Sequence, residues 1–189
     1  MVYRYMFRGY LDGSKLSINE INGVYNVSCS EFLGMVFMYF ESDFSDVNPH
    51  DIVNTGLKEF PDGRKWEKMN DIFHYSKPLS KEHWQRKEKF EPNWRINYLK
   101  PDKVSEYIFY HWQLQEERPG TEYRYGIIFN IENIIVFYLE KPFVMETEKI
   151  PGALNTNNTP MEQWGELTDS MFDTTEKTGG KWIKIDTII

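Results

Sequence analysis

The chain has a single cysteine, Cys29, among its 189 residues, so it cannot form an internal disulfide bond. Chains without disulfides are typical of reducing compartments, and we predict a cytoplasmic location. No stretch approaches the roughly 20 consecutive apolar residues of a membrane-spanning helix. Residues 1–13 also lack the apolar centre of a signal peptide. These absences predict a protein that has no membrane partner.

Positive charge is also scarce, because 22 Lys and Arg residues stand against 29 Asp and Glu residues, for a formal net charge of −7. Proteins that bind nucleic acids concentrate positive charge to displace counterions from phosphates. The balance therefore predicts no nucleic-acid partner. Residues 77–89 are a local exception with Lys77, Lys81, Arg86, Lys87 and Lys89. Glu82 and Glu88 are interleaved with them, so we interpret this segment as a solvated helix face.

Motifs for bound nucleotides and metals are missing as well. The sequence has no P-loop and no Gly-x-Gly-x-x-Gly pattern, so nothing predicts a nucleotide cofactor. His50, His74 and His83 are scattered, without the close His or Cys spacing of a zinc site. We therefore predict neither a cofactor nor a metal site.

Aromatic residues are abundant, at 16% of the chain, within a hydrophobic fraction of 40%. This composition is enough to build a folded core. Tyrosine and tryptophan combine a large apolar surface with a polar tip, which suits both cores and ligand pockets. Most of these side chains are expected to fill a core.

One pattern occurs twice along the chain. Residues 24–43 and residues 123–142 each contain two runs rich in β-branched and aromatic residues. A short turn separates the runs, at Leu33-Gly34 in the first segment and at Glu132-Asn133 in the second. Both segments predict β-hairpins.

A helix start follows each predicted hairpin. Asn48-Pro49-His50-Asp51 and Thr159-Pro160-Met161-Glu162 both offer a capping side chain, a proline at the first helical position and an acid at the third. The second segment matches a full capping box. We expect these helices to end near Gly63 and near Gly179-Gly180, and strands starting Lys65-Trp66 and Lys181-Trp182 to follow.

The front of each half completes the pattern. Residues 2–11 and 93–99 predict strands, and a strong helix is expected from Pro101 to about Glu117. After Leu11 there is room for one helical turn at most. The order strand, helix, hairpin, helix, strand is that of a ferredoxin-like βαββαβ unit. We predict an α+β protein of two tandem ferredoxin-like units, the first abridged, that together form an intrachain dimeric α+β barrel.

The predicted boundaries follow from this order. Residues 1–76 form the first unit, residues 77–92 form a charged helical linker whose helix begins at Ser80, and residues 93–189 form the second unit with the candidate pocket. The oligomeric state is left open between monomer and homodimer.

Residues 100–111 resemble the first helix of the L-rhamnose mutarotase family, with Pro101-Asp102 at its start, Glu106-Tyr107 within it and His111 four residues later. The resemblance extends to the hairpin after Tyr125 and to Glu162-Gln163-Trp164. The Phe-His pair of the family's closing strand is matched by Phe73-His74, in the first half of the chain. Residues 171–173 stand where the family has paired tryptophans, so rhamnose itself is not implied as the substrate.

The resemblance implies a monosaccharide mutarotase or epimerase that interconverts sugar anomers by acid–base proton transfer. Tyr107 and His111 would be catalytic, while Tyr125, Trp112 and Trp164 would bind the substrate. Side chains four residues apart lie on one helix face, and Val104, Ile108 and Leu114 on the same side would turn this face toward the sheet. The simpler interpretation is that these residues are part of the core.

Two other functions are compatible with the same fold. The first is a haem-binding protein or small monooxygenase with His111 as an axial ligand. The second is a non-catalytic binding or immunity-type protein, whose acidic and aromatic surface would engage a basic partner. The predicted ligand of the pocket is a small molecule, with a monosaccharide as the leading candidate.

Overall fold

The computed structural model describes residues 1–120, 122–156 and 158–189. The chain divides into two compact units. Unit 1 comprises Met1–Met69, Pro78–Lys87 and Ile185–Ile189, and unit 2 comprises Asn70–Lys77 and Glu88–Lys184. Each unit contains one antiparallel sheet and two helices of four or more residues, so the predicted α+β class is confirmed at this level.

Unit 1 is built on a four-stranded sheet in the order β2-β3-β1-β4. Its strands are β1 (Tyr3–Tyr10), β2 (Val24–Phe32), β3 (Met35–Ser42) and β4 (Glu67–Lys68), and its helices are α1 (Pro49–Ile52) and α2 (Lys81–Trp84). The predicted hairpin is confirmed, with Leu33 and Gly34 at φ values of 53° and 80°. Two successive positive φ values are the geometry of the tight turns that match strand twist.

The helices of unit 1 begin where the sequence predicts, but they are short. Asn48 accepts a hydrogen bond from the backbone N of His50, and Ser80 accepts one from the backbone N of His83. Each helix then lasts only four residues. The expected continuation of the first helix to Gly63 is wrong, because Val53 is already extended and bridges Ile18. The expected linker helix is likewise only one turn.

The core of unit 1 forms on one face of its sheet. Alternate residues of β1 and β3 point to this face and pack against the segment after α1. The buried members are Tyr5, Phe7, Leu16, Cys29, Val36, Met38, Phe40, Ile52, Val53, Leu57 and Trp66. Burying a large apolar side chain contributes about 1.5–3 kcal/mol, so this cluster stabilises the unit together with the alternate residues of the same strands, such as Met6, Phe37 and Tyr39, which are also fully buried.

Arg86 corrects the prediction of a solvated face over residues 77–89. Its guanidinium forms a two-pronged ion pair with the carboxylate of Glu41, with Nη1–Oε2 and Nη2–Oε1 distances of 2.7 Å. The Arg86 side chain is 10% exposed and that of Glu41 is fully buried. The sequence could not reveal this pair, because its partners lie 45 positions apart.

Unit 2 carries a five-stranded sheet in the order β5-β7-β8-β6-β9. Its strands are β5 (Asn70–His74), β6 (Glu91–Tyr98), β7 (Ile127–Ile131), β8 (Ile134–Lys141) and β9 (Ile183–Ile185). Its helices are α3 (Val104–Glu117), which follows a 3-10 turn at Pro101–Lys103, and α4 (Trp164–Asp169), which follows one at Met161–Gln163. The second hairpin and the long helix from Pro101 to Glu117 are both confirmed.

The predicted capping box at Thr159 is wrong. The backbone N and the hydroxyl of Thr159 both donate to the carboxylate of Glu117, at the end of α3. The following 3-10 turn has no side-chain cap, and α4 ends at Asp169 rather than near Gly179. The Thr159 side chain therefore binds Glu117 and does not cap the start of the following helix as the sequence pattern predicts.

The boundaries of the units are more interleaved than the predicted division into residues 1–76, 77–92 and 93–189. Strand β4 pairs with β1 in unit 1, whereas β5, directly after it, pairs with β7 in unit 2. The last residues pair with β2 of unit 1, where the backbone N of Cys29 donates to the carbonyl of Ile189. Among the described residues, none of the helices has the length and apolar character needed to cross a membrane.

Candidate functional site

Tyr107 and His111 lie together on the sheet-facing side of α3, as the helical spacing predicts. Both side chains are buried, and their rings lie with centroids 4.0 Å apart at an interplanar angle of 30°. The rings of Trp164 and Phe73 approach the His111 imidazole edge-on, at 4.9 Å and 5.3 Å. Val104, Ile108 and Leu114 pack against the same cluster, so the predicted orientation of this helix face is confirmed.

The protonation of this pair follows from its burial. His111 Nδ1 lies 2.9 Å from the carbonyl oxygen of Tyr107, and since a carbonyl can only accept, this nitrogen carries the proton. Burial lowers the pKa of His111 to about 4, so the imidazole is neutral at pH 7. Burial also raises the pKa of Tyr107, with smaller contributions from Tyr75 and Asp169. Both groups therefore stay uncharged within a packed aromatic cluster.

The other predicted site residues are only partly brought together. Trp164 joins the cluster around His111, at the start of α4. Trp112 lies on the outward side of α3, with 44% of its surface exposed and its ring 6.3 Å from that of Phe109. Tyr125 is buried in the segment just before β7. The structure therefore groups Trp164 with the predicted pair and separates Trp112 from it.

A cleft of about 150 Å³ opens beside this cluster, between β5 and the C-terminal half of α3. We call it the β5–α3 cleft. Phe73 connects the two features, because its ring contacts His111 on one side and Tyr75 on the other, 4.6 Å away. The cleft is lined by Phe73, His74, Tyr75, Leu114, Gln115, Arg118, Glu122 and Met161. A pocket between helix and sheet is thus present, lined by residues other than those predicted.

His74 is the titratable side chain of this cleft that is best held in place. Its Nδ1 lies 2.8 Å from Oδ2 of Asp71, and its side chain remains 26% exposed. Its backbone N donates to the side-chain oxygen of Gln115 on α3 at 2.8 Å. The pairing of β5 with β7 is irregular between Asp71 and Phe73. Residues three apart point to opposite faces of a regular strand, so this bulge is what allows Asp71 to reach His74.

Tyr75 and Glu122 add further polar groups to the lining of the cleft. Burial raises the pKa of Tyr75 above its ordinary value, and the neighbouring carboxylate of Glu122 raises it further. The phenol therefore keeps its proton at neutral pH and donates a hydrogen bond to the Glu122 carboxylate. The backbone fixes its position, since the carbonyl of Tyr75 accepts from the N of Gly120 at 2.8 Å.

The sequence carries a signal for His74 that does not depend on its spacing from other histidines. Phe73-His74 matches the Phe-His pair of the mutarotase closing strand, and an aspartate precedes the histidine by three residues. Its spacing from the other histidines alone gives no indication of a site, because His50, His74 and His83 are scattered along the chain. The pairing of β5 with β7 is what places it beside α3.

The arrangement offers a histidine held by a carboxylate, a protonated phenol, a carboxylate and an arginine around a small cleft. Over the described parts of the chain, His, Cys, Asp and Glu side chains nowhere gather in a group of three or more that could hold a metal ion. Comparisons of the chain with protein-family models, with curated proteins and with solved structures each return no match.

Proposed function

We propose that unit 2 catalyses the interconversion of monosaccharide anomers by proton transfer in the β5–α3 cleft, with His74 as the proton-transfer group. The observation that carries the proposal is the 2.8 Å contact between His74 and Asp71 at the wall of a cleft of about 150 Å³. The mutarotase resemblance of the α3 segment and of Phe73-His74 supports the same reaction class.

The chemistry needs a base and an acid on one substrate. The base takes the proton from the anomeric hydroxyl while the acid protonates the ring oxygen, so that the bond between the anomeric carbon and the ring oxygen breaks and the hydroxyl oxygen becomes the aldehyde carbonyl. Closure on the other face reverses both transfers and gives the second anomer. Imidazole is the side chain suited to exchange protons near neutral pH.

Asp71 and Gln115 would position His74 for this role. With Nδ1 engaged by the Asp71 carboxylate, Nε2 is the ring nitrogen that we assign to the substrate. The Tyr75 phenol, which keeps its proton, is the group we assign to the ring oxygen.

This proposal moves the reaction from His111 to His74. The neutral His111 imidazole packs among the rings of Tyr107, Trp164 and Phe73, and its Nδ1–H is bound to a backbone carbonyl. We assign it a positioning role behind Phe73. Arg118 and Glu122 remain to bind the sugar hydroxyls.

The test is the exchange rate between anomers of a panel of monosaccharides, measured by saturation-transfer NMR. We expect acceleration over buffer for at least one sugar, and a loss of about 100-fold or more in His74→Gln, because general acid–base catalysis contributes about 10²–10⁴-fold. His50→Gln, in the one-turn helix of unit 1, is the matched control and should keep the wild-type rate. Buffer-level exchange for every sugar would reject the proposal.

We also propose that the two units are diverged copies of one ferredoxin-like βαββαβ unit. The orders β2-β3-β1-β4 and β7-β8-β6-β9 place corresponding strands in the same positions, with β5 as an addition. Tyr39 donates to Glu41 in β3, and Tyr138 donates to Glu140 at the matching positions of β8. An experimental structure in which these two sets of strands failed to superpose would contradict the proposal. The barrel arrangement remains a prediction.

A further inference from the structure

A groove of about 370 Å³ adjoins the β5–α3 cleft in unit 2. It lies between the end of α3 and the 3-10 turn before α4, and we call it the α3–α4 groove. Arg118 and Met161 line both the cleft and the groove, so the two spaces meet at these side chains. The groove is lined by Arg118, Thr159, Pro160, Met161, Glu162 and Gln163. The reaction proposed above takes place in the cleft and leaves this groove without a role.

The sizes of the two spaces indicate a ligand longer than a single sugar ring. The cleft alone, at about 150 Å³, is smaller than the range of about 300–1,000 Å³ that is usual for small-molecule sites, whereas the cleft and the groove together fall within it. His74 lines the cleft but not the groove. A ligand that fills both spaces therefore presents one end to His74 and extends its other end into the groove.

One wall of the groove is fixed to the end of α3 by Glu117. Its carboxylate accepts from the backbone N of Asn158 at 3.0 Å and from that of Thr159 at 2.8 Å. The hydroxyls of Thr156 and Thr159 donate to the same carboxylate. A wall that is ordered before the ligand arrives lowers the conformational entropy lost on binding. Glu117 is therefore placed to shape the groove without lining it.

The polar side chains of the two spaces indicate a neutral ligand that is rich in hydroxyl groups. The carboxylates of Glu122 and Glu162 stand against the guanidinium of Arg118 and the imidazole of His74, so neither sign of charge prevails. A sugar phosphate would meet both carboxylates. The amide of Gln163 adds a group that both donates and accepts, and carboxylates, amides and guanidinium groups all form hydrogen bonds with hydroxyls.

We propose, building on the function proposed above, that the preferred substrate is a neutral reducing disaccharide. Its reducing-end sugar occupies the β5–α3 cleft, and its second sugar occupies the α3–α4 groove. The anomeric hydroxyl at the reducing end must be free for the reaction, so the second sugar is linked through another position of that ring. Because the second sugar is remote from the bonds that change, it binds equally in the ground and transition states and lowers KM without raising kcat.

The test compares each reducing disaccharide with the monosaccharide at its reducing end. Saturation-transfer NMR over a series of concentrations gives kcat and KM for glucose, galactose and mannose, and for the 1,4- and 1,6-linked disaccharides that end in each. For at least one pair we expect the disaccharide to have a KM about tenfold lower at a similar kcat, because the second sugar adds hydrogen bonds less the cost of ordering it.

Two variants of the full chain assign this difference to the groove. Gln163→Ala removes an exposed amide and should raise the KM of the disaccharide about two- to tenfold relative to that of the monosaccharide, the effect of one hydrogen bond. Glu117→Gln weakens the contacts that hold Thr159 and should change the same ratio in the same direction. Gln85→Ala, which removes an exposed glutamine of unit 1, is the matched control and should keep the wild-type ratio.

The possible results separate this inference from the function on which it rests. Buffer-level exchange for every monosaccharide and disaccharide would reject the proposed function and the disaccharide with it. Accelerated exchange of a monosaccharide, with an equal or higher KM for each of its disaccharides, would reject the disaccharide alone. A lower disaccharide KM that persists in Gln163→Ala and Glu117→Gln would show that the second sugar lies outside the groove. The Gln163→Ala arm changes an exposed side chain, so it decides the matter even if Glu117→Gln fails to fold.

Discussion

Replacing Arg86 by methionine tests how unit 1 tolerates its buried carboxylate. The substitution keeps an apolar stem but leaves Glu41, which is fully buried, without its two-pronged partner. Removing one member of a buried ion pair costs about 3–5 kcal/mol. Three neutral donors remain on the Glu41 carboxylate, from Tyr39, Trp84 and Asn26, so we expect the lower end of that range.

Protonation of Glu41 sets an upper bound on the loss of stability in Arg86→Met. The Glu41 carboxylate, which retains the weaker attraction of Arg4, can escape the rest of its penalty by taking up a proton, and protonating a group of ordinary pKa about 4.3 at pH 7 costs about 3.7 kcal/mol. We therefore expect Arg86→Met to lower the free energy of unfolding by about 3 kcal/mol at pH 7. Urea denaturation followed by circular dichroism measures this value, and hydrogen exchange of the β3 amides assigns it to unit 1.

The loss of unfolding free energy in Arg86→Met should depend on pH. Burial alone raises the pKa of Glu41, but Arg86 and the other donors outweigh it and hold the pKa below its ordinary value. In wild type this contribution is present above the unfolded pKa and is lost as pH falls through the folded pKa. Without Arg86 the shift of the Glu41 pKa reverses its sign, because the effect of burial then dominates. The variant therefore becomes more stable relative to wild type as Glu41 takes up a proton. The difference between the two proteins should shrink by about 2 kcal/mol between pH 7 and pH 5.

Two comparisons isolate the cause of the effect. Arg64→Met removes a guanidinium that pairs with Asp62 in solvent, and it should change the free energy of unfolding by less than about 0.5 kcal/mol. Adding Glu41→Leu to Arg86→Met removes the orphaned charge and should restore at least about 1 kcal/mol. A loss below about 1 kcal/mol at pH 7, or one that does not change with pH, would refute the reasoning.

Three further predictions concern other buried groups. Because the folded pKa of His111 is lowered to about 4, its contribution to stability is present above pH 6.5 and is lost as the pH falls. We expect the free energy of unfolding to fall by about 2 kcal/mol between pH 7 and pH 5, and His111→Gln to abolish this fall. An equal pH slope in both proteins would contradict the prediction. Burial raises the pKa of the Cys29 thiol to about 12, so iodoacetamide should modify it only after unfolding, and rapid native-state labelling would show that the side chain is accessible. Added haem should give no Soret shift that depends on His111, since aromatic rings surround this imidazole; a shift lost in His111→Ala would instead restore the haem-binding alternative.

Features governed by short stretches of chain were predictable. The hairpin turns at Leu33-Gly34 and at Glu132 form where the residues between two β-rich runs adopt positive φ. The helix of residues 101–117 begins at a proline and carries its apolar side chains on one face. In each case, interactions between residues a few positions apart decide the local structure.

Helix lengths were predicted less well than helix starts. The asparagine before α1 caps it as expected, yet the helix lasts one turn because the next residues are extended. At the second site, Glu117 takes the hydrogen bonds of Thr159, and the capping box does not form. A capping pattern predicts where a helix begins, whereas the length of the helix depends on tertiary packing, which the pattern does not predict.

By itself, the sequence determined the two hairpins, the long helix with Tyr107 and His111 on its buried face, and the α+β class. Only the tertiary structure decided that β5 joins the sheet of unit 2 and places His74 beside α3, and that Arg86 reaches Glu41. The physical reason is the distance along the chain over which each interaction acts. Turns and helix faces arise between near neighbours, whereas strand partners and buried ion pairs form between residues tens of positions apart, and the backbone between them decides whether they meet.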